Sequence, residues 1–196
     1  MSFLFDEESH TYTLDGRVIP SVSELLPKKD FSFVKEEALD NAIHDGIRKH
    51  RLLEDFFKLK TNSSLTEEEE MFVAQIRLCF DFENANRWGE IKAVEQPLYS
   101  KTRLYAGTPD LAFQNGIFDL KRTLGDKKLH ALQLAAYSVL LRENGICDTK
   151  NWFILTATEY KYTLTNVYNP QAERIFLGRA QNYWNDVALK NYLNTL

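Results

Sequence analysis

Cysteine is scarce in this sequence, with two residues among 196. Cys79 and Cys147 are too few, and too far apart, to indicate a disulfide framework or a cysteine metal cluster. A reducing, intracellular setting is therefore expected, and we predict that the protein is cytoplasmic.

Long apolar segments are also missing. No run approaches the ~20 apolar residues that span a bilayer, so no membrane partner is expected. The first ten residues, MSFLFDEESH, lack the basic start and the apolar stretch of a signal peptide. These two absences predict neither a membrane anchor nor a secretory leader.

An excess of positive charge is absent as well, because the formal net charge is −4. By itself this value argues weakly against a nucleic-acid partner. Cations do cluster locally, at residues 48–51 (RKHR) and in a second group formed by Lys121, Arg122, Lys127 and Lys128. Solvated helix ends and loops would explain either cluster equally well, so charge does not decide the function.

The residues that are present fit one globular domain spanning 1–196. Hydrophobic residues make up 44% and charged residues 27%, both ordinary values for a domain with a core. A hairpin is predicted over residues 10–19 around Asp15-Gly16. Ser21 and Glu24 form a capping box for a short helix. We expect this N-terminal hairpin and the helices of residues 1–60 to pack on a core formed by residues 66–167.

Two long helices are predicted next. The first covers residues 33–59, and its apolar row places His50 among buried side chains between Ile47 and Leu53. The second begins at a capping box formed by Thr66 and Glu69 and extends to about residue 88.

A mixed sheet is predicted in the second half of the chain. Strands are expected at 91–98, 104–113 and 117–122, a helix at 128–144, strands at 152–158 and 162–167, and a terminal helix opened by Pro170. The central order is helix, three strands, helix, strand (αβββαβ). This order predicts the α/β class, with a mixed central sheet flanked by helices.

The most informative segment is the expected hairpin of residues 107–121. Asn115-Gly116 is typical of a two-residue type I′ turn, which would place Asp110 opposite Lys121 and diagonal to Asp119. Strand alternation puts these three side chains on one face of the sheet. A cross-strand salt pair on a solvated face is the simpler interpretation, but it leaves the second carboxylate unexplained.

Two carboxylates at this spacing can share a divalent cation. Mg²⁺ prefers hard oxygen ligands and leaves positions for water and phosphate. Lys121 could orient or deprotonate the attacking water, or stabilise developing charge. Phosphodiester hydrolysis requires these parts together.

The motifs Pro109-Asp110 and Asp119-Leu120-Lys121 resemble those of the PD-(D/E)XK nuclease superfamily. Gln133 and Tyr137, one helical turn apart, are similar to the QxxxY motif of its RecB-type, lambda-exonuclease-like branch. The resemblance implies a restriction-endonuclease-like fold. It also implies that Gln133 and Tyr137 help to position DNA.

The resemblance extends upstream to Gly46 and His50. It implies that His50, and Glu95 on the strand before the hairpin, join Asp110 and Asp119 as ligands of Mg²⁺ or Mn²⁺. A satisfied core histidine and a surface glutamate are the alternatives. With only two cysteines, the iron–sulfur cluster of some members of this branch is not expected.

The resemblance implies a DNA-hydrolysing enzyme, an exonuclease of phage-type recombination acting in a bacterial host cell. A homo-oligomer and a recombination partner protein are further expectations. The alternative is a non-cleaving nucleic-acid or protein binding module on the same fold. A glycosidase using Asp110 and Asp119 leaves Lys121 unexplained.

Overall fold

The chain folds as a mixed α/β protein. The computed structural model describes residues 2–28, 36–60, 65–81 and 87–194, which form ten strands and five helices. Within these ranges, no helix combines the length and apolar character that crossing a membrane requires.

The N-terminal part is a three-stranded antiparallel meander followed by helices. Its elements are β1 (Phe3–Asp6), β2 (Thr11–Leu14), β3 (Arg17–Ile19), α1 (Val22–Leu25), α2 (Glu36–Phe57) and α3 (Glu67–Cys79). The turn at Asp15-Gly16 is confirmed, with φ of 48° and 78°. Both capping boxes are confirmed too, with Ser21 at the start of α1 and Thr66 at the start of α3.

The second half builds the central sheet. Its elements are β4 (Ile91–Val94), β5 (Leu98–Ser100), β6 (Tyr105–Gly107), β7 (Leu111–Phe113), β8 (Gly116–Leu120), α4 (Lys127–Glu143), β9 (Trp152–Ala157), β10 (Tyr162–Asn166) and α5 (Ala172–Leu193). The five-stranded sheet has the order β10-β9-β8-β7-β4. Strands β8 and β9 are parallel, and the other pairs are antiparallel.

Two predicted strands are each divided in the structure. Residues 91–98 form β4 and the start of β5, and residues 104–113 form β6 and β7. The break after β4 falls at Glu95, whose φ of 43° is incompatible with an extended strand. Pro97, which has no N–H to donate, follows it. Strands β5 and β6 therefore form a separate two-stranded hairpin beside the main sheet.

The two long helices are shorter than predicted. For α2, residues 33–35 lie outside the described residues, and the helix ends at Phe57. The helix predicted over 66–88 ends at Cys79, and residues 82–86 lie outside the described part. The ring of Phe80 leaves the helical path and lies 5.4 Å from Phe113 and 5.0 Å from Phe118 between ring centroids. Phe80, the residue at which α3 ends, is partly buried by these ring contacts.

Helices cover both faces of the central sheet. Helices α4, α5 and α1 share one apolar cluster with the Ala112, Ile117 and Ile154 face of the strands. The last turns of α2 and helix α3 pack on the opposite face, against Leu120 and Leu155. The ends of β7 and β8 lie between these layers, which is where the candidate site is found.

The turn between β7 and β8 consists of Gln114 and Asn115, so the prediction of an Asn115-Gly116 turn is wrong. Neither Asn115 nor Gly116 has the positive φ that a type I′ turn requires. The backbone of residues 88–90 stabilises the observed turn. The amides of Gln114 and Asn115 donate hydrogen bonds to the carbonyls of Glu90 (2.8 Å) and Trp88 (3.0 Å).

Gly116 lies in β8 because two aromatic rings approach its backbone. A Cβ there would meet Phe118 Cε2 at 2.8 Å and Trp88 Cε3 at 3.0 Å. We expect Gly116→Ala to lower the free energy of unfolding by about 1–3 kcal/mol, the usual cost of overpacking a core. Urea unfolding measures the change.

Gly178→Ala is the matched control, because a Cβ at this position in α5 meets no atom within 4 Å. It should stabilise the helix by up to about 1 kcal/mol. Equal unfolding free energies for the two variants would contradict the packing role of Gly116.

Candidate metal centre

The β7–β8 hairpin brings Asp110 and Asp119 face to face. Leu111 pairs with Phe118, and extending this register by one residue sets Asp110 opposite Asp119. The predicted pairing of Asp110 with Lys121 is therefore wrong, because the turn lies one residue earlier than expected. A register change of two residues keeps every side chain on its face, so Asp110, Asp119 and Lys121 still share one.

Burial makes the opposed carboxylates unusual. Asp119 is fully buried and Asp110 is 5% exposed. Like charges directly opposite on a sheet repel, and burying them without partners is costly. Asp110 Oδ2 accepts a hydrogen bond of 2.6 Å from the Leu120 amide. Within the described residues, Asp119 Oδ1 has no hydrogen-bond partner.

Lys121 supplies the cation next to Asp119. Its Nζ lies 2.7 Å from Asp119 Oδ2. Burial lowers the pKa of Lys121, but the nearby charges of Asp119 and Asp110 outweigh that effect and raise it above its usual value. Lys121 therefore holds its proton at neutral pH. In this arrangement it is suited to stabilise negative charge and not to act as a general base.

A histidine and a glutamate complete the cluster around Asp110. His50 Nδ1 lies 3.1 Å from Glu95 Oε1 and 3.5 Å from Asp110 Oδ2. The Glu95 amide donates to the Asp110 carbonyl at 3.0 Å. The left-handed φ of Glu95 (43°) is a strained conformation for a residue with a side chain, and such strain is often found at functional sites.

The cluster perturbs the pKa values of two members. Burial, together with the charges of Asp119 and Glu95, raises the pKa of Asp110 to about 7, although the nearby His50 opposes the change. Burial lowers the pKa of His50, but the charge of Asp110 and the hydrogen bond with Glu95 more than compensate and raise it to about 9. In the metal-free protein, the cluster therefore retains protons at neutral pH.

The surroundings of His50 differ from the prediction. Ile43 and Ile47 are 49% and 64% exposed, so the first half of α2 does not form a buried apolar row. The helix reaches the core in its last turns, where Leu52 and Leu53 are buried and Phe56 and Phe57 pack against the same cluster. His50 therefore lies where α2 meets the core and faces the carboxylates, not an apolar interior.

Gln133 and Tyr137 lie on α4 close to these groups. Gln133 Nε2 donates to the Tyr137 hydroxyl at 3.2 Å. Tyr137 is buried, and Gly107 gives its ring room, since a Cβ there would meet Tyr137 Cε1 at 2.9 Å. Burial, followed by the charges of Asp119 and Asp110, raises the pKa of Tyr137 well above its usual value. Tyr137 is therefore a neutral hydroxyl at neutral pH.

Sequence reasoning missed the contact of Tyr12 with the segment before Asp110. The Tyr12 hydroxyl lies 2.8 Å from Thr108 Oγ1, and its ring is buried. The N-terminal meander thus supports the loop that carries Asp110. Nothing in the sequence pattern linked Tyr12 to residue 108, which is 96 positions away.

The residues present fit a divalent cation. His50, Glu95 and Asp110 each offer one ligand atom, and these atoms lie within 4.8 Å of one another. The two carboxylates suit Mg²⁺ or Mn²⁺, whereas the imidazole favours a transition-metal ion such as Mn²⁺ over Mg²⁺. Asp119 lies outside this set of three, but its buried Oδ1 is without a hydrogen-bond partner among the described residues, as expected of a group that a cation would satisfy.

Comparison with protein-family models gives no match, and comparison with curated proteins gives no significant match. The function is therefore inferred from the site itself.

Proposed function

We propose that this protein is a metal-dependent nuclease that hydrolyses phosphodiester bonds of DNA. The observation that carries the proposal is the buried Asp119–Lys121 pair facing Asp110, with His50 and Glu95 in contact on the other side. A structural salt bridge would not need the second and third carboxylates. A cation site beside a fixed ammonium group explains all five residues.

The order of elements supports the same proposal. Helix α3, strands β4, β7 and β8, helix α4 and strand β9 follow one another along the chain, with β5 and β6 as a hairpin between β4 and β7. We propose that these elements correspond to the αβββαβ core of a restriction-endonuclease-like fold. The opposed carboxylates lie at the ends of β7 and β8. This placement agrees with the PD-(D/E)XK motifs in the sequence.

Each residue of the cluster has a role in this proposal. Asp110, Glu95 and His50 hold the cation, and Asp119 contributes charge to it. When bound, the cation supplies Lewis acidity and makes a hydroxide nucleophile accessible at neutral pH. Lys121, as an ammonium group, stabilises the negative charge that develops on the phosphate.

The helix α4 residues act on the substrate. Gln133 and the neutral hydroxyl of Tyr137 are hydrogen-bonded to each other, so their polar groups are held in fixed positions beside Asp119 and Lys121. Fixed donors of this kind orient a substrate without reorganisation. We therefore propose that they position DNA. Exonuclease action in phage-type recombination rests on the sequence resemblance.

The test compares end-labelled linear duplex DNA with closed circular DNA. With Mg²⁺ or Mn²⁺ the purified protein should degrade the linear DNA, and with EDTA it should not. Absence of cleavage with either metal would leave the binding-module alternative and overturn the proposal. Cleavage of closed circular DNA would support the proposed nuclease function but exclude an obligate exonuclease.

A further inference from the structure

A groove with a volume of about 510 Å³ is lined in part by Lys121. It lies between the residues after α1 (Leu26, Pro27 and Lys28), the loop from β8 to α4, and the first turns of α4. Lys121 belongs both to this groove and to the candidate metal centre. Whatever the groove binds is therefore adjacent to the proposed reaction.

The groove carries positive charge beyond that of Lys121, which is paired with Asp119. Lys28, Lys121 and Arg122 line it, and none of the lining residues that the structure describes is acidic. Lys28 and Arg122 are exposed, and neither forms an ion pair with any residue in the described ranges. In a chain with a net charge of −4, such a segregation of cations favours an anionic ligand.

The other basic cluster near the site differs in this respect. Arg48 lies 3.1 Å from Glu68 and Lys49 lies 2.9 Å from Asp45, so these cations are paired within the protein. The structure thus separates two clusters that looked equivalent in the sequence. Among the described residues, Arg51 is the cation of the 48–51 cluster that forms no ion pair, whereas Lys28 and Arg122 both remain available beside Lys121.

The lining also offers apolar contacts. Leu26, Pro27 and Leu129 lie beside the cations, and Gln133 and the buried His130 add polar groups. Phosphate oxygens, sugars and bases together require this mixture of surfaces. Volumes of about 300–1,000 Å³ enclose single small molecules, so the groove has room for one or two nucleotides but not for a duplex.

We propose that this groove binds the sugar-phosphate backbone of a single DNA strand next to the scissile phosphate, with Lys28 and Arg122 contacting flanking phosphates. The inference rests on the proposed nuclease function for the identity of its ligand. The inference adds that only one strand of the substrate continues past Lys121 into this groove.

The test measures binding of a fluorescein-labelled 12-nucleotide oligothymidylate by anisotropy, in EDTA, at 50–200 mM salt. The double variant Lys28→Ala/Arg122→Ala should bind about tenfold or more weakly at 50 mM salt. The slope of log K against log salt should fall in magnitude by about 1.4, at about 0.7 for each lost phosphate contact. Lys28→Arg/Arg122→Lys should retain both the affinity and the slope.

Arg174→Ala/Lys190→Ala is the matched control, because it removes the same two residue types from exposed positions of α5. It should bind as the wild type does. Equal losses in both double variants, or normal binding by Lys28→Ala/Arg122→Ala, would overturn the assignment. Displacement of the oligonucleotide by equimolar thymidine monophosphate or inorganic phosphate would also overturn it, in favour of a small-anion site.

Binding in EDTA does not depend on cleavage, so the two proposals fail separately. These binding effects in a protein that never cleaves DNA would contradict the proposed nuclease function and support the strand-binding groove. Cleavage of DNA by the wild-type protein, together with normal binding by Lys28→Ala/Arg122→Ala, would support the nuclease function and contradict the proposed groove.

Discussion

Replacing Asp119 with asparagine is expected to reduce metal-dependent DNA cleavage by at least about 10²–10³-fold, the usual loss when one preorganised electrostatic group is removed. The substitution keeps the shape of the side chain but removes the charge that faces the cation site and holds Lys121 Nζ at 2.7 Å. Initial rates on end-labelled linear DNA, with saturating Mg²⁺ or Mn²⁺, measure the loss.

Asp186→Asn is the matched control, since Asp186 is exposed on α5. It should cleave at the wild-type rate. Thermal unfolding of both variants separates loss of activity from loss of folding. An Asp119→Asn protein that folds and cleaves within threefold of wild type would refute the assignment of Asp119 to the site.

Local rules predicted the parts of this site that depend on strand alternation. Asp110, Asp119 and Lys121 share one face because side chains alternate along β7 and β8, whichever residues form the turn. These local rules could not predict the register of the hairpin. The carbonyls of Trp88 and Glu90, together with the ring contacts of Gly116, select the turn, and these contacts come from outside the hairpin.

Long-range contacts explain the other differences from the sequence. The left-handed conformation of Glu95 divides a predicted strand and turns the chain beside Asp110 and His50. His50 itself comes from a helix 45 positions earlier. Apolar periodicity placed it on a buried row, but periodicity cannot show that its neighbours in space are carboxylates. That arrangement depends on how α2 meets the sheet.

The sequence alone also does not show which charges are neutralised by ion pairs. In the sequence, residues 48–51 form one basic cluster, and Lys121, Arg122, Lys127 and Lys128 form another. Only the fold shows that Arg48 and Lys49 are paired with carboxylates of α2 and α3, while Arg122 is exposed on the groove beside the site. Local charge patterns thus identify candidates, and ion pairing in the fold separates them.

The metal-free protein is expected to lose stability as the pH rises from 6 to 8.5, by about 4 kcal/mol in the free energy of unfolding. In the folded protein the pKa of Asp110 is raised to about 7 and that of His50 to about 9, both above their ordinary values. The contribution of Asp110 is complete below its ordinary pKa of 3.8 and is lost as the pH rises through 7. That of His50 is complete below 6.5 and is lost as the pH rises through 9. Urea unfolding in EDTA at each pH measures the sum.

A divalent cation should reverse this trend, because it replaces the protons that the cluster retains when no metal is bound. Stabilisation by Mn²⁺ should therefore be larger at pH 8 than at pH 6, since ligand atoms must be free of protons to bind it. His50→Gln should reduce both the pH dependence and the gain from Mn²⁺, whereas His44→Gln, at an exposed position of the same helix, should change neither. Equal stabilisation by Mn²⁺ at both pH values would mean that the cation binds elsewhere. Unfolding free energies in EDTA that stay constant from pH 6 to 8.5 would mean that Asp110 and His50 do not hold these protons in the folded protein.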